Sequence, residues 1–109
     1  MRNDIIILKM QGYIEKILQY CTDTTYEDFE RNTLLLEACV FNLSQLDELA
    51  SKVDSSFIDA HPSIPWKQMR GLRNKIVHDY EGVNLSLVWE IISEDLPELK
   101  DQLKGIASN

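Results

Sequence analysis

A chain of 109 residues with 44% hydrophobic and 27% charged side chains has the size and balance of one globular domain, able to bury a core without disulfide or metal staples. Its formal net charge of −7 excludes indiscriminate capture of nucleic acid over the whole surface, because that affinity comes from cations neutralising phosphates. The apolar run Ile5-Ile6-Ile7-Leu8 is too short for a signal-peptide core or a membrane span, and Cys21 and Cys39 lack metal-ligand spacing, so the expectation is a cytoplasmic chain with reduced thiols.

With only four Gly, three Pro and no useful strand-type alternation, the pattern reads as all-helical. Asp4 is a candidate cap for a first helix from about Ile5 to Tyr20, with Ile7, Met10, Ile14, Ile17 and Leu18 recurring every three or four residues on one apolar face. Cys21 to Thr24 reads as a turn, and Thr25-Tyr26-Glu27-Asp28 as a capping arrangement that opens the next helix. From about Asn32 to Val53, the positions Leu35, Cys39, Asn42, Leu46, Leu49 and Val53 form a lengthwise packing seam, widened by Leu36, Val40 and Leu43. Asp54 to Ser63 reads as the one substantial loop. A third helix is expected from Pro65, suited to a first helical turn, to about Tyr80, stopping at Gly82 as a left-handed terminator. Asn84 is a candidate cap for a fourth helix with Leu85, Val88, Trp89, Ile92, Leu96, Leu99 and Leu103 on one face, bent or broken at Pro97. Four such helices with short connections predict an all-α, antiparallel up-and-down four-helix bundle over residues 1–109.

The chemistry is concentrated in Arg73-Asn74-Lys75-Ile76-Val77-His78-Asp79-Tyr80. Arg73 offers a permanent planar cation that fits a phosphate, and His78 can accept or donate a proton near neutral pH. Between them they can take a proton from a ribose 2′-hydroxyl, stabilise charge on the attacked phosphate and protonate a leaving 5′-oxygen, with no metal or cofactor. Between Ala60 and Val77 there is no acidic residue, while Lys67, Arg70, Arg73 and Lys75 are basic, which makes Lys67, Arg70 and Lys75 candidate RNA contacts. On a helix Arg73 and His78 stand about 140° apart and roughly 7.5 Å along the axis, so one helix makes an awkward site. Asn74, one turn before His78, could orient the imidazole or contact phosphate, and the carbonyls of a helix ending just after His78 would favour the imidazolium. The plainer alternative is that His78 only complements a helix end while Arg73 pairs with an acid on a neighbouring helix. Trp66 and Trp89 read as core, Asn42 as a satisfied buried polar group, and His61, before Pro62 in a loop, as no metal ligand. Glu37 and Glu48 could reach the motif from the long helix.

The Arg73 to His78 spacing followed by Tyr80, preceded by His61-Pro62-Ser63-Ile64-Pro65-Trp66, resembles the signature of HEPN-domain proteins, in particular HepT-type toxins of prokaryotic toxin–antitoxin pairs. The likeness extends to Ala38-Cys39-Val40-Phe41-Asn42-Leu43, Val88-Trp89 and Asp95-Leu96-Pro97-Glu98-Leu99, and so covers most of the chain. It departs at Asp47-Glu48, where the family pattern has a Gly-Glu pair. The resemblance implies a HEPN-like bundle that pairs as a homodimer, so that two motifs meet across a cleft lined by the helices carrying Arg73 and Leu85. It implies a metal-independent endoribonuclease toxin acting on tRNA or mRNA, with Arg73 and His78 catalytic and Asn74 supporting. It further implies a cognate minimal nucleotidyltransferase antitoxin that adds AMP units to Tyr80, placing negative, bulky groups beside the cations that receive RNA phosphate. The alternative is a non-catalytic helical module that binds the nucleotidyltransferase, which an acidic surface would also suit.

Overall fold

The apolar periodicity along residues 3–20 is realised as helix α1 (Asn3–Tyr20) in the computed structural model, which describes residues 2–78 and 82–107. Ile6, Met10, Ile14 and Ile17 are fully buried on its inner face. The helix begins earlier than Asp4 would allow as its cap. Arg2 occupies the cap position, and Asp4 lies in the first turn, where the helix dipole favours a carboxylate and where it accepts Arg2 Nε and Nη2 at 3.1 and 2.9 Å.

Thr25 does cap the next helix, α2 (Tyr26–Arg31), its Oγ1 accepting the Asp28 N–H at 3.2 Å. Asn32 then leaves helical geometry at φ −110°, ψ 88°, and its Oδ1 accepts the Leu35 N–H at 3.0 Å to start α3 (Thr33–Ala50). Cys39, Asn42, Leu46 and Leu49 of the expected seam are buried, and Val53 is buried just beyond the helix end. Asn42 is satisfied locally by donating from Nδ2 to the Ala38 carbonyl at 2.7 Å.

Two contacts fix α1 and α3 as antiparallel. Asn3 Nδ2 donates to Asp54 Oδ2 and Asn3 Oδ1 accepts the Asp54 N–H, each at 3.3 Å, at one end, while Cys21 Sγ and Cys39 Sγ lie 3.7 Å apart towards the other. Both cysteines are free thiols. The hydrogen bond from Cys39 draws the Cys21 thiol below its ordinary value, and the same contact together with burial pushes the Cys39 thiol up.

The segment expected as loop contains helix α4 (Ser55–Ala60). Phe57 and Ile58 are half-buried against the core, and the Phe57 ring lies 4.5 Å from that of His61 and 6.1 Å from that of Trp66, centroid to centroid. Two apolar side chains one after the other gave no periodic signal, yet packing on Trp66 is sufficient to hold one short helix.

The expected third helix is interrupted and shorter. It consists of α5 (Trp66–Met69) and α6 (Leu72–Ile76), separated at Arg70-Gly71, and then gives way to strand β1 (Val77–His78), paired antiparallel with β2 (Gly82–Val83). Gly82 takes φ +79°, the left-handed geometry foreseen for it, but within the hairpin rather than behind a helix end. Asn84 caps α7 (Leu85–Glu90) through Oδ1, which accepts the Leu87 N–H at 3.1 Å. Pro97 neither breaks nor ends the fourth helix. A π-helical turn (Ile91–Asp95) lies immediately before it and leads into α8 (Leu96–Ala107), widening the backbone where the prolyl nitrogen has no hydrogen to donate.

α1 packs between α3 and α8, α6 lies on α3, and α7 bridges α2 and α6. Trp89 closes the α2 side with its ring 5.1 Å from Phe29 and 6.3 Å from Tyr26. The fold is all-α apart from the two-residue ladder, and among the described residues no helix is long and apolar enough to cross a membrane.

Candidate functional site

The polar motif is built on α6 and the strand that follows it. Leu72 and Ile76 of α6 are buried against the bundle, which turns Arg73, Asn74 and Lys75 outward, and all three are exposed. Met69 and Trp66 anchor α5 in the same way, leaving Lys67 and Arg70 exposed. One short segment therefore presents four cations to solvent, and among the described residues none of them is in an ion pair. The plainer alternative for Arg73, pairing of its side chain with an acid on a neighbouring helix, is not what the described residues adopt.

Arg73 does engage α3, through its backbone. Its N–H donates to Asp47 Oδ2 at 3.0 Å. Gly71, at the cap position of α6, has no side chain to satisfy the first-turn amides, so Asp47 supplies that acceptor from another helix and sets its charge at the positive end of α6. The sequence reading gave Asp47 no role. The available signal was the lack of any Ser, Thr, Asn or Asp just ahead of Leu72, which obliges the orphan amides to find an outside partner. Glu48, by contrast, points to Lys52 at 3.7 Å with both side chains exposed, and Glu37 is exposed on α3.

His78 does not lie in the last turn of a helix, because α6 already ends at Ile76. The backbone turns extended at Val77 (φ −114°, ψ 117°), the ladder pairs Val77 with Val83 and His78 with Gly82, and Asn84 N–H donates to the Ile76 carbonyl at 2.8 Å. The helical spacing of Arg73 and His78 and the one-turn relation of Asn74 to His78 therefore fall away. The β-branched Val77 suits strand geometry, and its ladder partner, Val83, is β-branched as well. Tyr80, the expected modification site, lies outside the described residues.

Trp66 is buried, as its reading as core expected, and its Nε1 donates to the His61 carbonyl at 2.9 Å, while the half-buried His61 ring lies tilted at 44° against Phe57.

Comparison with known proteins shows the family. The family model described as Ribonuclease HepT-like matches residues 10–106. The chain is 36% identical over 101 residues to "Putative RNase TTE0752" of Caldanaerobacter subterraneus subsp. tengcongensis, covering 86% of this chain and 90% of the relative. It is 31% identical over 88 residues to "Putative RNase MJ1380" of Methanocaldococcus jannaschii, covering 81% of each chain. It is also 31% identical over 93 residues to "Probable ribonuclease HepT" of Thermococcus cleftensis, covering 85% of this chain and 84% of that protein. No solved structure matches it significantly. A family match over residues 10–106, with relatives 31–36% identical across most of both chains, places this chain in the HepT-like ribonuclease family.

Proposed function

We propose that this ribonuclease is the toxin of a toxin–antitoxin pair and cleaves tRNA or mRNA without a metal, at a site shared by two copies of the chain. The observation that carries the reading is the exposed, acid-free run Lys67, Arg70, Arg73 and Lys75 leading into His78, in a protein whose net charge is −7. RNA is drawn to one face by these cations, and the acidic remainder discourages binding elsewhere.

In this mechanism the ribose 2′-oxygen attacks the adjacent phosphorus and the bond from phosphorus to the 5′-oxygen breaks. His78 of one copy takes the 2′-hydroxyl proton, and a protonated His78 of the second copy delivers a proton to the departing 5′-oxygen. Arg73 stabilises the extra charge on the non-bridging oxygens, its fork of N–H donors matching the phosphate edge. Asn74 supports the phosphate contact. The products are a 2′,3′-cyclic phosphate and a 5′-hydroxyl. A cognate nucleotidyltransferase would switch the site off by adding AMP to Tyr80, which sets phosphate charge beside the cations that RNA needs.

The test is cleavage of total cellular RNA by the purified protein in the presence of a chelator, beside Arg73→Ala and His78→Ala proteins checked for folding. Wild-type cleavage with at least a hundredfold loss in either variant is the expected result, on the order of what removing a general acid–base or charge-stabilising group costs. Cleavage that survives in His78→Ala removes His78 from the mechanism. No cleavage by an unmodified wild-type chain favours the non-catalytic module that binds a nucleotidyltransferase.

A further inference from the structure

The chain holds two cysteines, 18 positions apart in sequence, and folding brings both to the contact between α1 and α3. Cys39 is fully buried in α3, and Cys21 is half-buried at the cap position just beyond α1. Their sulfurs lie 3.7 Å apart, in contact but unbonded, whereas a disulfide needs about 2.05 Å. Closing that gap asks little of the bundle. At Cys21 (φ −97°, ψ 7°) the helix gives way to a turn in which the Thr24 N–H donates to the Cys21 carbonyl at 3.1 Å. The thiol that must move therefore sits at a helix end, while its partner stays fixed inside α3. Among the described residues no third His, Asp or Glu joins the pair in a group that could hold a metal ion.

The two thiols are not equivalent. Donation of the Cys39 S–H favours a thiolate at Cys21, against the carbonyl end of α1, which disfavours one. Cys39, sealed from solvent, keeps its proton. We propose that Cys21 and Cys39 form an oxidation site that takes a hydroperoxide and answers with a reversible disulfide between α1 and α3. The Cys21 sulfur attacks one peroxide oxygen, so that an S–O bond forms, the O–O bond breaks and hydroxide or alkoxide leaves. Cys21 is then a sulfenic acid and the peroxide has been reduced. The Cys39 sulfur next attacks the Cys21 sulfur, an S–S bond replaces the S–O bond, and the departing hydroxide takes the Cys39 proton as water. A reducing thiol restores the pair by exchange. The bond closes a loop that contains all of α2 and staples the end of α1 to the helix whose Asp47 holds the start of α6. In a reducing compartment the thiol pair is the resting form and its oxidation is transient. None of these steps depends on the ribonuclease mechanism.

The experiment is treatment of the reduced, intact protein with hydrogen peroxide in the presence of dimedone, which traps sulfenic acids, followed by mass spectrometry. The expected product is a single chain lighter by two hydrogens, with Cys21 linked to Cys39, no dimedone adduct, and both thiols returned by dithiothreitol. Cys39→Ala is expected to accumulate the dimedone adduct on Cys21, because the resolving sulfur is gone. Cys21→Ser is expected to leave the buried Cys39 unmodified. Folding of both variants is checked by circular dichroism, and the wild-type result needs neither of them. The disulfide form is expected to melt about 10 °C above the reduced form, since the bond removes the entropy of an 18-residue loop from the unfolded chain. Two free thiols after oxidation, a dimedone adduct on the wild-type chain, or disulfides only between chains would overturn the site. Dimedone on Cys39 in a folded Cys21→Ser protein would overturn the assignment of roles, and an unchanged or lowered melting temperature would overturn the staple. RNA cleavage enters none of these readings, so the oxidation site and the nuclease mechanism stand or fall separately.

Discussion

Asp47 is the residue whose role changes most when the chain is folded. It stands where the family pattern has a small residue before Glu48, and in the structure its carboxylate holds the start of the motif helix through the Arg73 N–H. Asp47→Ala is expected to destabilise the fold by about 1 kcal/mol, the usual worth of a lost helix cap, whereas Asp47→Asn keeps the acceptor and most of the stability. Urea unfolding of the two variants separates these outcomes, and equal stabilities would show that the contact contributes nothing. The cations of the motif were legible as residue types, and their exposure followed from the buried Leu72 and Ile76 that flank them. The Asp47 contact was not legible, since it joins residues 26 positions apart and depends on how α6 lies across α3.

At the scale of elements, helix starts were read more faithfully than helix ends. Thr25, Asn32 and Asn84 all accept the amide three residues ahead, because that bond depends only on local chain geometry. Where the third helix stops is set by a strand partner arriving from later in the chain, and the same holds for α4, whose Phe57 needs Trp66 to pack on. The hairpin makes a demand on Gly82, which sits at φ +79° with open space where a side chain would be. Gly82→Ala is therefore expected to cost about 1–2 kcal/mol through backbone strain alone. Hydrogen exchange at the Asn84 amide, which donates to the Ile76 carbonyl, should accelerate in that variant, and unchanged protection would disconnect Gly82 from the ladder.

For the whole molecule, the critical question is how two motifs meet. The proposed site requires His78 from two copies, so wild-type protein mixed with an excess of His78→Ala protein and allowed to exchange is expected to lose cleavage well beyond simple dilution. A mixed dimer then holds one His78 where the two proton transfers need two. Loss by dilution alone, with exchange verified by mass, would place each complete site within a single chain. The sequence by itself determined the helical class, the buried faces, the caps at Thr25 and Asn84 and the family, because periodicity, capping chemistry and motif spacing are written in neighbours along the chain. Folding decided where the motif helix ends, which acid caps it, how Pro97 is accommodated by a π-helical turn and that the two cysteines meet. Each of these depends on partners distant in sequence, whose approach is set by packing of the whole core rather than by any local preference.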